Sequence, residues 1–210
     1  MDLMIDIETL GTKPGCKILT IGACLFDMTL PLDQDPTDVT ELNAWKLGQS
    51  EFPDLKIQSS FYCSIDKDMQ EGDGYNLVEE PDTSRWWRKQ SEEAKEAAFA
   101  GKYGPLEACL SFMDWTTVIE PLIENVWAQG QDFDFPILAE FLYRVNRDKF
   151  AWKFWLQRDT RTFYDAASIV SWRTPRKWFP PREGIYHNAL DDCKYQAQCL
   201  QKAFHILKAK

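Results

Sequence analysis

Long apolar runs are missing from this sequence. No stretch approaches the roughly 20 apolar residues that a membrane-spanning helix needs, so no span is expected. A leader is missing too: Met1-Asp2-Leu3-Met4-Ile5-Asp6 has neither a basic n-region nor a small-residue cleavage site, and no signal peptide is expected. The six cysteines, at 16, 24, 63, 109, 193 and 199, form no Cys-x-x-Cys pair and no Cys/His set at zinc spacing. Scattered thiols without a leader point to reduced, buried cysteines in a cytoplasmic protein. Histidine is scarce, with two in 210 residues. A basic excess is also lacking: the net charge is −9, the opposite of what phosphate binding usually recruits.

What is present is a core. Hydrophobic residues make up 44% and aromatic residues 14% of the chain, enough for one folded domain over 1–210. The charge is unevenly spread. From Arg144 to Arg182 there are ten basic and three acidic residues, a local charge of +7 that leaves −16 for the remainder. Such asymmetry marks either a surface that faces nucleic acid or ordinary solvated helices.

Leu3–Ile7, Ile18–Phe26 and Ser60–Ile65 read as three consecutive strands, hence an antiparallel meander. Residues 27–59, rich in Pro and Asp, read as an insertion or an extended excursion. Asp82 or Thr83 is expected to cap a helix holding Trp86 and Trp87, and Ser91 to open another. Further expected elements are a helix from Pro105 to about Thr116, a strand at Ile123–Ala128, a helix following Asp134 and Pro136, and a fifth strand at Thr160–Phe163. The clearest helix is the last, where Leu190, Cys193, Ala197, Leu200, Phe204 and Leu207 recur at steps of three and four. The order predicts an α/β fold with a mixed sheet flanked by helices.

Several acids stand where charge is costly. Alternation on the first strand puts Leu3, Ile5 and Ile7 on one face and Met4, Asp6 and Glu8 on the other. Two carboxylates about 7 Å apart on an apolar strand, at roughly 3.4 Å per residue, call for a hard divalent cation or for an edge strand in solvent. Asp134 sits at a strand-to-helix junction, where it serves as a functional group or an N-cap, with Asp132 as its rival. His187 lies five residues before Asp192 at the start of the last helix, a spacing that suits a general base beside a metal-ligating acid or a helix start favoured by the dipole. Arg173-Thr174-Pro175-Arg176-Lys177-Trp178-Phe179-Pro180-Pro181-Arg182 interleaves cations and rings just before His187, as single-strand binders do, and reads also as a Pro-rich loop.

Together, Asp6-x-Glu8-Thr9, Phe133-Asp134 and His187-x4-Asp192 fall in the order and spacing of the DEDDh exonucleases, the superfamily of proofreading subunits and RNase T, which the chain resembles. A closer likeness, to phage exodeoxyribonucleases of the DexA type and related bacterial exoribonucleases, rests on three segments. These are Arg85-Trp86-Trp87-Arg88-Lys89-Gln90-Ser91-x-Glu93-Ala94, Asp134-Phe135-Pro136-Ile137-Leu138, and Phe154-Trp155-x-Gln157-Arg158-Asp159-x-Arg161-Thr162. Many members of the superfamily carry Asn four residues before the middle Asp, where this chain has Gly130. The resemblance implies an RNase H-like fold with a five-stranded mixed sheet. It implies two divalent ions, Mg2+ or Mn2+, held by Asp6, Glu8, Asp134 and Asp192, with His187 taking a proton from the attacking water. Nucleotides would leave a free 3′ end as 5′-monophosphates. Contacts to the strand would come from Thr9, Leu10, Trp86, Trp87, Phe135, Arg158, Arg161, Arg176 and Lys177, with one of the two tryptophans buried. Single-stranded DNA is the expected substrate and RNA the alternative. A catalytically silent binding module is disfavoured because all four acids and the histidine are present. A homodimer is in keeping with the relatives.

Overall fold

The computed structural model describes residues 1–39, 58–71, 74–146 and 152–209. Five strands form one sheet in the order β3-β2-β1-β4-β5, with β1 Asp2–Thr9, β2 Ile18–Phe26, β3 Ser60–Ser64, β4 Asn125–Ala128 and β5 Gln157–Asp159. β1 pairs antiparallel with β2, and β2 with β3, which gives the expected meander; β4 and β5 run parallel to β1. The described helices are α1 Pro81–Trp87, α2 Glu92–Ala98, α3 Pro105–Ile119, α4 Gln131–Asn146, α5 Thr160–Ser171 and α6 Ala189–Lys208. The fold is α/β with a mixed five-stranded sheet, consistent with an RNase H-like architecture.

β1 is the central strand and is covered on both faces. Leu3, Ile5 and Ile7 join Phe112 of α3 and Leu138 and Phe141 of α4 in one core, while Met4 joins Cys193, Ala197 and Leu200 of α6 in another. The edge-strand alternative for Asp6 and Glu8 is therefore excluded. α6 approaches the sheet closely at Gly22, directly opposite Asp6 in the β1–β2 register. A Cβ on Gly22 would lie 2.3 Å from the Ala189 carbonyl carbon, so only glycine lets the helix N-terminus rest on the sheet there. All six cysteines are free and buried, as expected. Among the described residues no helix is long and apolar enough to cross a membrane.

Several boundaries differ from the sequence reading. The expected fifth strand at Thr160–Phe163 is the first turn of α5, and β5 is the preceding Gln157–Asp159. Asp159 decides this, because its side chain accepts the Thr162 N–H at 3.1 Å. An N-cap outweighs the strand propensity of Thr and Phe. α1 begins at Pro81, one to two residues ahead of the expected caps, with proline at its first position and no side-chain cap. α4 starts at Gln131, so Asp134 and Pro136 lie inside it. Of the excursion at 27–59, residues 40–57 fall outside the described residues. Its first part packs on α6, where the Gln201 amide donates to the carbonyls of Leu30, Pro31 and Gln34.

Candidate active site

The C-terminal end of β1 carries the acids. Parallel strands β1 and β4 end on the same side of the sheet, where α/β folds place their ligand sites. The β1–β2 register shifts between Glu8 and Thr9, an irregularity that re-aims side chains next to a site. Asp134 comes from the first turn of α4 and is 3% exposed; its Oδ1 accepts the Ile7 N–H at 3.2 Å. Its rival Asp132 is exposed. Asp192 comes from the first turn of α6, whose cap is Asn188. The residue that ends the preceding loop is His187, in a left-handed conformation with φ 62°.

Glu8, His187 and Asp192 each offer a ligand atom within 4.8 Å of the other two. The His187 Nδ1 lies 3.4 Å from Glu8 Oε1. Asp6 sits beside this group and accepts a 2.9 Å hydrogen bond from the Gln196 amide. Burial pushes the Asp6 carboxyl well above its ordinary range, and the charges of Asp134, Glu8 and Asp192 push it further. Burial likewise raises Asp134 to about 8 and raises Glu8 and Asp192. The hydrogen bond to Glu8 raises His187. A cation would relieve the repulsion and desolvation of these four carboxylates. A donor set of carboxylate oxygens beside one imidazole fits a hard divalent ion.

Two residues outside the expected set complete the site. Arg182 forms an ion pair with Asp192, with both side chains largely shielded from solvent. Its guanidinium stacks on Tyr186 at 4.0 Å and Tyr195 at 4.9 Å. Gln196, one helical turn after Asp192, holds Asp6 as described. Spacing of four on α6 was the only signal for Gln196, and Arg182 was signalled only as the last residue of the interleaved basic and aromatic segment before His187.

The expected substrate contacts separate into groups. Trp87 is buried and donates from its indole N–H to the Thr9 carbonyl at 2.8 Å, whereas Trp86 is 41% exposed. The His187 ring meets Trp86 edge to face at 4.8 Å and Trp87 at 5.9 Å. Thus one tryptophan is buried and the other is accessible beside the acids. Thr9 and Leu10 are buried; the Thr9 hydroxyl donates to the Gly11 carbonyl and Leu10 packs with Leu19 and Trp87. Phe135 is buried in the core against Trp152, with no face open to a strand. Arg161 and Arg176 line one cavity and Lys177 another. Arg158 donates to the carbonyls of Trp155 and Gln157. The rings of the interleaved segment turn inward: Trp178 is buried, and Phe179 packs on Tyr164 at 5.0 Å. The second histidine, His205, lies far along α6 against the Leu30 carbonyl.

Residues 1–204 match the family described as the 3′-5′ exoribonuclease Rv2179c-like domain. The chain belongs to this family and is a 3′–5′ exonuclease. It is also 26% identical to an exodeoxyribonuclease of Enterobacteria phage T4 over 213 aligned residues, covering 91% of this chain and 84% of that protein. The family match spans all four acids, Arg182 and His187. Its substrate is nucleic acid, and divalent-metal dependence follows from the family.

Proposed function

We propose that this exonuclease removes 5′-mononucleotides from the 3′ end of single-stranded DNA, with two Mg2+ or Mn2+ ions held by Asp6, Glu8, Asp134 and Asp192. The observation that carries the metal site is the gathering of two buried carboxylates, Glu8 and Asp134, and two half-buried ones, Asp6 and Asp192, around the end of the central strand, each pushed above its ordinary range. When bound, the ions supply Lewis acidity at the scissile phosphate and at the leaving 3′-oxygen. His187 is the general base. A neutral ring that donates from Nδ1 toward Glu8 keeps Nε2 as a proton acceptor. The accessible face of Trp86 stacks the terminal base beside this ring.

DNA is the first reading because of the phage exodeoxyribonuclease aligned over 91% of the chain. RNA is the second, favoured by the description of the family. Recognition of the sugar rests on contacts to the 2′-hydroxyl. Digestion of matched 5′-labelled DNA and RNA oligonucleotides with Mg2+, with the 3′ end free or blocked, tests the whole reading. The expected result is stepwise shortening of the free-ended DNA. Faster shortening of RNA overturns the sugar assignment, and shortening of blocked strands overturns the polarity.

A further inference from the structure

After β4 the chain turns through Gln129 and Gly130 into α4. Gly130 has φ 99°, and a Cβ there would lie 2.6 Å from the Arg161 guanidinium. The missing side chain is therefore the space in which that guanidinium rests. Asp159 fixes the arrangement from both ends. Its Oδ1 accepts the Gly130 N–H at 3.0 Å, and its Oδ2 caps α5 by accepting the Thr162 N–H. Arg161 lies between these two anchors in sequence, on the first turn of α5. From there its charge opposes the rise in the Asp134 carboxyl.

The same guanidinium lines an open cavity of about 600 Å3. Arg176 and Thr174, from the loop after α5, line it too, and Phe179 contributes to its wall. The one carboxylate in the lining is Asp165, so two guanidiniums outnumber it and the cavity favours an anion. Its volume is within the range of sites that hold small organic ligands. Charge-assisted donors beside an apolar ring suit a phosphodiester carrying a nucleoside. The location also matters. Trp86 and Trp87 stand against His187 and Thr9, whereas this cavity is lined by Gln129, which follows β4, and by Arg161, whose charge acts on Asp134. The acids thus have aromatic residues beside His187 and a cationic residue beside Asp134.

We propose that the cavity is the subsite for the nucleotide next inside the scissile bond, with Arg161 and Arg176 holding its phosphodiester. This rests on the exonuclease reading, in which the terminal nucleotide occupies the Trp86 flank. The enzyme therefore senses whether a strand continues past its last linkage, and Gly130 is a specificity residue because any side chain there displaces Arg161.

Competition against a 5′-fluorescein-labelled hexanucleotide by a nucleoside 5′-monophosphate, which fills the terminal site alone, and by a trinucleotide, read by fluorescence anisotropy with Ca2+ present, tests this alongside cleavage of the hexanucleotide with Mg2+. The wild type should prefer the trinucleotide. Loss of a charge-assisted contact in Arg176→Gln should weaken trinucleotide binding by about tenfold or more and bring the trinucleotide-to-mononucleotide ratio toward one. Because Arg176 is exposed, this variant is not at risk of failing to fold. Gly130→Ala, checked by thermal melting, should reproduce the effect. Equal weakening of both ligands, or none, overturns the subsite. A wild type that does not shorten the hexanucleotide overturns the exonuclease reading itself, a distinct outcome.

Discussion

The strand that supplies Asp6 and Glu8 and the loop that supplies His187 are held in different ways. β1 is paired on both sides and packed on both faces, so the positions of its acids follow from a backbone ladder that no single side chain controls. The loop from Arg182 to Asn188 has no ladder. It contains two left-handed residues, Gly184 at φ 83° and His187 at φ 62°, and depends on a few side-chain anchors to α6. Ile185 N donates to Asp191 Oδ2 at 2.8 Å, and Arg182 pairs with Asp192. Carboxylates built into the core are insensitive to local change. A histidine on a tethered loop is adjustable, and its placement is correspondingly easier to lose.

Substitutions separate these two regimes. Asp6→Asn should abolish cleavage while the fold persists, because it removes one of the mutually repelling charges on a strand held by its neighbours. Retained Mg2+-dependent shortening of a 5′-labelled strand would break the assignment. His187→Gln should lower the rate by about 10²–10⁴-fold with little change in metal affinity measured by titration calorimetry. In the wild type the rate should rise with pH through a midpoint above 6.5, since Glu8 stabilises the protonated ring and the base must be neutral. The variant should lose that limb of the profile.

Without metal the strand itself becomes the weak region. The Asp134 carboxyl is raised from 3.8 to about 8, so between those values the folded state binds more protons than the unfolded state. Stability then falls as pH rises. The melting temperature of EDTA-treated protein should drop from about pH 5 to pH 8, and Mg2+ should restore it. A flat profile in EDTA would contradict the crowded-carboxylate description. Arg182→Gln should have the smallest effect, a few-fold loss in kcat with a lower melting temperature in EDTA, because Asp192 loses its cationic partner. If the loss appears only in KM, Arg182 contacts the strand instead of organising the loop.

The acids and the histidine were picked out in the sequence by their combination: paired acids on a strand, Asp134 at a helix start and His187 five residues before Asp192 each had a structural alternative, and only their order and spacing together carried the resemblance. The elements around them were read from periodicity, which is why β1, β2 and α6 emerged nearly complete. Thr160–Phe163 was misread because a cap made by the side chain of Asp159 overrode the β propensity of the residues after it. Gln196, Arg182 and the packing of Trp178 and Phe179 were hidden for a different reason. Each depends on which elements meet across the sheet, and composition does not encode that. The interleaved cations and rings illustrate the point, since the rings fill the core and the cations divide between two cavities.

The close contact at Gly22 also has a meaning in time. Asp6 lies near the start of the chain and Asp192 186 residues later, and α6 must settle on Gly22 before the two can share a site. At about 5–20 residues per second, synthesis separates these two carboxylates by on the order of tens of seconds. Until α6 docks, a growing chain holds its acids apart, and the proposed cutting centre forms only with that contact.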